Sequence, residues 1–432
     1  MYIALKNPLQ NRLLFHVSHK LKDEQCLMHH HSQLKDSIED QLCLASIHFL
    51  RSHYQQAIDE ILQLYLEKYN ESPIAVNLKA CNQYRLYNSK AAESEIKTLN
   101  NELANNELAF IRDIIEHNTV VFRNGDTALQ VLPKLVDIIP EARLNLSIYY
   151  LKKQDTNAAF SLMNEFEPQV SHDFLLKAIT YCLKGVETDL KDLLNKASEY
   201  FKIVGESSAE CDTIIGRQSM ASSFFLRRQF EEVLVYFNSI KTYFPHDDVF
   251  NFNYGQTLVQ CGEFAEGEKC LLLVAHTIGI NAPTVTTNSA STSGTIFASE
   301  NVKLSLAKCL ARAYIANGKS KAAWNLYTSM RHLSGKAIAR LLRLIANDSY
   351  KAGEFVYAVR AFKALEQLAD SSGERDAAFI YATARRCACA GVVQIADLRE
   401  AVTMLENERH SDESQQLAAS ARRWASEIGI YI

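Results

Sequence analysis

Pairs of small residues recur along this chain at a nearly constant spacing, and each pair is followed by a large apolar residue. In each group a small residue is followed twelve positions later by a second one and, four positions after that, by a bulky side chain. The groups are Ala45/Ala57/Ile61, Ala80/Ala92/Ile96, Gly255/Gly267/Leu271, Ala311/Ala323/Tyr327 and Ala346/Ala358/Phe362, with Ala221/Val233/Phe237 as a sixth whose middle residue is larger. The steps 57 to 92, 233 to 267 and 323 to 358 are 35, 34 and 35 residues. This period predicts helix-turn-helix units of the tetratricopeptide type.

The pattern has a simple physical basis in close helix contact. The first small residue lies on helix A and the second on helix B, so that the two helices approach closely. Turn residues such as Gly262-Glu263-Phe264 stand between them, and a glycine there accepts the left-handed conformation that ends a helix. We therefore predict an all-α fold of tetratricopeptide-type helix-turn-helix repeats stacked into a right-handed solenoid.

The register of the groups divides the chain into five stretches. They are a helical remnant preceding the array (1–38), tetratricopeptide-like repeats that are degenerate over 107–205 (39–280), a Ser/Thr-rich flexible loop (281–299), further repeats (300–372) and a C-terminal helical cap (373–432). Within the degenerate part Ser147/Ala159/Met163 keeps the spacing, whereas Ala178/Leu190/Leu194 keeps it imperfectly.

The start of the chain lacks the cap that a solenoid needs at each end. Nothing before Leu13-Leu14-Phe15 covers the apolar face of the first helices. We expect either a shortened chain or a partner that covers this face.

Composition narrows the range of functions. A net charge of −4 gives no general affinity for nucleic acid. The sequence has no run of 18 apolar residues and no basic segment leading into an apolar core at its start, so we expect no membrane insertion and no secretory signal. The ten cysteines are scattered and mostly at apolar helical positions, which indicates reduced, packed thiols of a cytosolic protein.

Three short motifs have a chemical and a structural interpretation. Gly318-Lys319-Ser320 resembles the end of a phosphate-binding loop, but position 313 is alanine instead of glycine and the motif falls on a turn between helices. His29-His30-His31 are adjacent on a helix and point about 100° apart, which does not suit one metal ion. Cys387-Ala388-Cys389 lacks the two intervening residues of a zinc or redox pair. We predict no catalytic, cofactor or metal site, no small-molecule substrate and no enzymatic activity.

Polar side chains on the concave helix A surface are the candidate binding residues, and the last third of this surface is basic, which suits an acidic peptide or helix. The alternative is that these polar side chains form an ordinary solvated face. Large helical scaffolds often bind their partners through edges and convex surfaces instead. The candidates are Asn77, Tyr84, Arg85, Gln218, Gln256, Lys308, Arg312, Arg343, Asn347 and Lys351.

Segments outside the repeat signature resemble the intraflagellar transport protein 56 family, also called tetratricopeptide repeat protein 26. The resemblance is carried by 10–16, 39–54, 77–88, 128–133, 139–146, 210–214, 247–254 and 344–351, including Gln10-Asn11-Arg12-Leu13-Leu14-Phe15-His16 and Ile139-Pro140-Glu141-Ala142-Arg143-Leu144-Asn145-Leu146. It implies a non-enzymatic adaptor subunit of the intraflagellar transport B complex, needed for cilium assembly and motility. Its implied partners are other B subunits and ciliary cargo proteins, and its implied location is the axoneme, the basal body region and the cytoplasm.

The chain departs from the family pattern in three places. It lacks the repeats that normally precede Gln10, about one repeat is missing around Ile61–Tyr69, and the segment 281–299 is extra. Two other functions stay open. One is a general tetratricopeptide scaffold or cochaperone outside cilia, although the full set of residues that clamps a terminal carboxylate is not assembled in adjacent repeats. The other is an enzyme with a helical toroid fold, for which the sequence offers no acid, base or metal cluster.

Overall fold

A computed structural model describes residues 7–21, 23–69, 72–99, 109–277, 299–330, 334–392, 395–407, 412–427 and 429. All regular secondary structure in these ranges is helical. The predicted flexible loop, 281–299, lies outside the described residues except for Ser299. The chain forms two compact units, 1–197 and 198–432.

The first unit is a series of short helices that pack pairwise along the chain. They are α1 (Pro8–Lys20), α2 (Glu24–His31), α3 (Ile38–Leu50), α4 (Tyr54–Gln56), a π-helical turn (Ala57–Leu62), α5 (Gln63–Lys68), α6 (Pro73–Leu86), α7 (Ser89–Ile96), α8 (Ala109–Phe122), α9 (Ala128–Leu135), α10 (Pro140–Lys152), α11 (Thr156–Asn164), α12 (Ser171–Thr188) and the start of α13 (Lys191–Glu206).

The second unit continues with longer hairpins. Its helices after α13 are α14 (Ile214–Leu226), α15 (Phe230–Ile240), α16 (Asp248–Cys261), α17 (Phe264–Thr277), α18 (Glu300–Ala316), α19 (Ser320–Ser329), α20 (Gly335–Lys351), α21 (Phe355–Ser372), α22 (Arg375–Ala390), α23 (Ile395–Glu406) and α24 (Asp412–Glu427).

The small-residue pairs lie where the two helices of each hairpin touch. Ala80 and Ala92 face each other between α6 and α7, and Ala311 and Ala323 do the same between α18 and α19; all four are fully buried. Between α16 and α17 the contact is so close that a Cβ on Gly267 would lie 2.8 Å from the Val259 side chain. The predicted register is therefore confirmed in these hairpins.

One predicted group is wrong. Leu190 precedes α13 and is 53% exposed, so Ala178/Leu190/Leu194 is not the contact of this hairpin. The small residue, the second small residue twelve positions later and the bulky residue four positions after that are Gly185, Ala197 and Phe201, and all three are buried. The register is displaced because α12 has 18 residues and its small contact residue lies near its end.

The turns inside the hairpins share a backbone conformation that the sequence reveals only in part. The residue seven positions after the first small residue has a positive φ in six hairpins. Three of these are glycines, Gly262, Gly318 and Gly353, and the other three are Ser52, Gln154 and Arg228. A left-handed residue ends helix A and lets helix B turn back along it.

One long cluster of buried side chains fills most of the second unit, and smaller separate clusters fill the rest of the chain that the structure describes. In the second unit this long cluster extends from Val259 on α16 to Ala425 on α24, and a separate cluster around Val233 and Phe250 joins α14, α15 and α16. In the first unit the buried residues form smaller separate clusters, for example around Phe15 and Leu27, and around Leu132 and Leu146.

A buried carboxylate ties together the repeats on both sides of the segment 278–298. Glu268 on α17 is buried and accepts hydrogen bonds from Asn317 Nδ2 at 2.6 Å and Lys319 Nζ at 2.7 Å. Asn317 Nδ2 also donates to the Phe264 carbonyl at 3.3 Å. The turn between α18 and α19 is thus held directly on α17.

The expected apolar face at the beginning of the chain is present on α1. Leu9 and Leu13 are 66% and 62% exposed, and Leu21, directly after the helix, is 73% exposed, while Phe15 on the opposite side is buried against Leu27.

Candidate protein-binding surface

The first helices of the last three hairpins, α18, α20 and α22, lie side by side and carry five of the predicted binding residues. We call the exposed side of these three helices the A face. Lys308 and Arg312 lie on α18, and Arg343, Asn347 and Lys351 lie one turn apart along α20. The structure therefore brings together the basic part of the predicted surface.

Two of these arginines are oriented by the neighbouring helix. Arg312 Nε lies 3.1 Å from the Asp348 carboxylate, which links α18 to α20. Arg343 Nε donates to the Tyr381 hydroxyl at 2.6 Å, and its guanidinium lies 5.9 Å from the centre of that ring, which links α20 to α22. Both long side chains are thus oriented on the surface by a contact with the neighbouring helix.

A cavity of about 300 Å³ opens between α20 and α22, which approach each other less closely than α18 and α20 do. Its apolar base includes Phe362 of α21, and its walls include Tyr350 and Ala384. Asn347 and Lys351 complete its polar rim. The cavity therefore offers apolar contact at the bottom with a positive charge and an amide at the opening.

Sequence reasoning missed an exposed apolar pair on α22. Phe379 and Ile380 are 68% and 62% exposed. Cys387 lines the cavity, and Ile380 lies two turns before it. Ile380 and Cys387 therefore share one face of α22. The signal was present in the sequence: with Ala378 in the core, the two bulky residues that follow it rotate away from the core by about 100° each. Because this segment lacks the small-residue spacing, the sequence predicts a cap here instead of a binding surface.

The predicted residues of the first unit have a different role. Asn77 on α6 accepts a hydrogen bond from Asn118 Nδ2 at 3.1 Å, and Asn145 Nδ2 lies 2.9 Å from His117 Nε2, so that polar side chains connect α6, α8 and α10. Tyr84 packs on Phe122 with ring centres 5.0 Å apart. These contacts hold neighbouring repeats together.

The remaining predicted residues are distributed over separate helices. Arg85 is exposed at the end of α6, Gln218 is exposed on α14, and Gln256 is half-buried on α16. None of them lines the cavity described above.

The motifs with a chemical interpretation have structural roles. Gly318 has φ +72° in the turn between α18 and α19, and the neighbouring Lys319 pairs with Glu268, so this segment is an inter-helix turn as predicted. His30 Nδ1 lies 2.8 Å from Asn11 Oδ1, and the His31 ring packs against Phe15 at 6.0 Å, so these two histidines face different neighbours. Within the described ranges no group of three His, Cys, Asp or Glu side chains could hold a metal ion.

The thiols differ widely in exposure. Cys81, Cys309 and Cys389 are half-buried or buried, and burial raises the pKa of each of these thiols to about 11. Cys26, Cys211 and Cys387 are exposed, so the prediction of packed thiols is wrong for these three. No helix in the described part of the chain is long and apolar enough to cross a membrane.

Comparison with known proteins identifies similar chains. The family profile of intraflagellar transport protein 56 matches residues 3–60 and 58–432, in two stretches that overlap at 58–60. The intraflagellar transport protein 56 homolog of Caenorhabditis elegans is 31% identical, over 99% of this chain and 79% of its own length. That alignment extends over 486 positions, which is 54 more than the 432 residues here, so the worm protein has additional residues within the aligned region.

Two solved structures cover most of the chain at low similarity. The hetero-tetramer Cut9-Hcn1 of the APC/C has a chain with 14% identity and a TM-score of 0.36, covering 97% of both chains. Yeast Tom70 has 11% identity and a TM-score of 0.30, covering 88% of this chain and 95% of its own.

Proposed function

Because the chain belongs to the intraflagellar transport protein 56 family, we propose that it is a non-enzymatic adaptor subunit of the intraflagellar transport B complex. In this role it binds other B subunits through its helical repeats and carries ciliary proteins along the axoneme, so that cilium assembly and motility depend on it. Its places of action are the cilium, including the axoneme and basal body region, and the cytoplasm.

The observation that carries the proposal is the family match across almost the entire chain. The helical hairpins support it, because stacked repeats of this kind present extended surfaces to other proteins. The A face adds fixed basic side chains beside an apolar cavity, a combination that suits a protein partner better than a small molecule.

Affinity purification from ciliated cells tests the adaptor role. We expect the tagged chain to recover intraflagellar transport B subunits, identified by mass spectrometry. A matched purification from cells of the same type that lack cilia controls for partners unrelated to transport.

The alternative, a general tetratricopeptide scaffold or cochaperone-like binding module outside cilia, gives a different result. Recovery of chaperones without transport subunits, from ciliated and non-ciliated cells alike, would favour that module and refute the adaptor role.

A further inference from the structure

Positive charge is concentrated on the helices that form the A face. The helix α18 has three basic residues and one acidic residue, α20 has four and one, and α22 has three and one. The second helices of the same region carry less positive charge: α19 has one basic and no acidic residue, α21 has two of each sign, and α23 has one basic and three acidic residues. The A face therefore has a different charge from the layer behind it.

Several of these charges are not neutralised within the protein. Arg312 pairs with Asp348, and Arg385 pairs with Glu366 at 3.0 Å. Among the described residues Lys308, Arg340, Arg343 and Lys351 form no ion pair, and Arg343 is held instead by the neutral hydroxyl of Tyr381. A row of unpaired basic side chains favours a ligand with negative charge.

Apolar surface lies directly beside this charge. Phe379 and Ile380 are mostly exposed, Tyr350 is 42% exposed, and the cavity between α20 and α22 reaches Phe362. Adjacent large apolar side chains in water mark interaction sites, and the strongest contacts form where an apolar anchor enters a pocket. A volume of about 300 Å³ has room for one large side chain.

We propose that the A face binds an acidic, amphipathic helical segment of a partner protein, with one large apolar side chain of that segment in the cavity between α20 and α22. Carboxylates of the segment pair with Arg343 and Lys351, and its remaining apolar side chains cover Phe379 and Ile380. This inference rests on the proposed function in one respect, namely that the chain acts by binding other proteins.

A defined peptide tests the inference on the purified full-length chain. The probe is a fluorescein-labelled synthetic helix with Leu and Trp on one face and Glu on the other, and binding is followed by fluorescence anisotropy. We expect saturable binding that weakens as salt is raised, because the charge pairs lie at the protein surface. A peptide with Lys in place of every Glu and a single-stranded oligonucleotide should both fail to bind.

Substitutions locate the site. We expect Arg343→Glu and Lys351→Glu each to weaken peptide binding about tenfold, because each reverses one charge next to the cavity. Ala384→Leu fills part of the cavity without changing charge and should also weaken binding. Lys363→Glu, an exposed lysine on α21, is the matched control with the same charge reversal and should bind like the wild type.

The inference is overturned if the wild type does not bind the peptide, if it binds the oligonucleotide or the Lys peptide equally well, or if Lys351→Glu binds as tightly as Lys363→Glu. Circular dichroism melting checks that the variants are folded. If Ala384→Leu unfolds, the two charge reversals, which lie at exposed positions, still show whether the A face binds the peptide.

Purification from ciliated cells separates this inference from the proposed function. Recovery of every transport subunit with both the wild type and Lys351→Glu would refute the acidic docking site while leaving the adaptor role standing. Peptide binding in vitro without any transport subunit from cells would refute the adaptor role and support the site.

Discussion

At the scale of single residues, Arg228 shows what the hairpin turn demands of the chain. Its φ is +61° at a position where other hairpins have Gly262, Gly318 and Gly353. A side chain in this conformation brings Cβ close to the following carbonyl oxygen, and only glycine avoids the cost. The fold imposes the left-handed turn even where the sequence does not favour it.

Arg228→Gly should therefore stabilise the protein by about 1 kcal/mol. The reverse change, Gly262→Ala, should destabilise it by a similar amount because φ there is +88°. Urea titration of both variants measures the two effects. A loss of stability in Arg228→Gly would show that the arginine makes contacts worth more than the strain.

Ala311→Asp places a carboxylate where α18 touches α19. The site is fully buried, so the charge loses its water without gaining a partner, and we expect a cost of several kcal/mol. Ser305→Asp on the same helix is exposed and should change stability by less than about 0.5 kcal/mol. Equal melting temperatures of the two variants would contradict the register of this hairpin.

Partly buried thiols make the stability of the protein sensitive to alkaline pH. Burial raises the pKa of Cys81 and of Cys309 from 9.0 to about 11, so the folded state holds these protons more tightly than the unfolded state. Their contribution to stability is complete below about pH 9 and is lost as pH rises toward 11.

Urea titrations at increasing pH measure this loss, and Cys309→Ala should reduce it while Cys387→Ala, at an exposed position, should not. An unchanged pH dependence in Cys309→Ala would rule out this thiol as a cause.

At the scale of helices, the hairpins combine contacts that the sequence makes visible with others that it does not. Ala80 and Ala92 could be paired from their spacing because the hairpin contact is local. The displaced contact at Gly185 could not, because it depends on α12 continuing to Thr188, and the spacing of small residues does not reveal where a helix ends. The hydrogen bond from Arg343 to Tyr381 joins residues 38 positions apart on different hairpins, and no local sequence pattern predicts such a pair.

Glu268 illustrates how one side chain joins successive hairpins. We expect Glu268→Ala to cost about 2 kcal/mol, because Asn317 then loses its buried acceptor and Lys319 its ion-pair partner. Lys319 is largely exposed, so Lys319→Ala should cost at most about 1 kcal/mol. Thermal melting of the single variants and the double variant gives the coupling between them. Equal costs for the two single changes would contradict the importance of the buried acceptor.

At the scale of the molecule, the two units differ in how their apolar residues are connected. The buried cluster from Val259 to Ala425 links every hairpin from α16 onward, whereas the clusters of the first unit are small and separate. In stacked repeats each unit is stabilised by its immediate neighbours, so a continuous core should open as one body.

Hydrogen exchange followed by mass spectrometry should show this difference. We expect peptides from α18 to α22 to exchange together and late, and peptides from α1 to α5 to exchange early and independently. Slower exchange in α1 to α5 than in α18 to α22 would contradict a stability set by the continuity of the core.

The π-helical turn at Ala57–Leu62 has a consequence for the history of the chain. It lies where the two stretches of the family match meet, at residues 58–60. A π turn holds one residue more than an α turn, which shifts the phase of everything after it by roughly a quarter of a rotation. Suppose that a deletion removes one repeat, starting inside the second helix of one hairpin and ending at the equivalent position in the next. The two remaining parts then form one fused helix. A change of rotation such as the π turn provides is enough to let both parts of that helix face their neighbours. A single deletion in the gene could then remove one repeat while every remaining hairpin still packs on its neighbours.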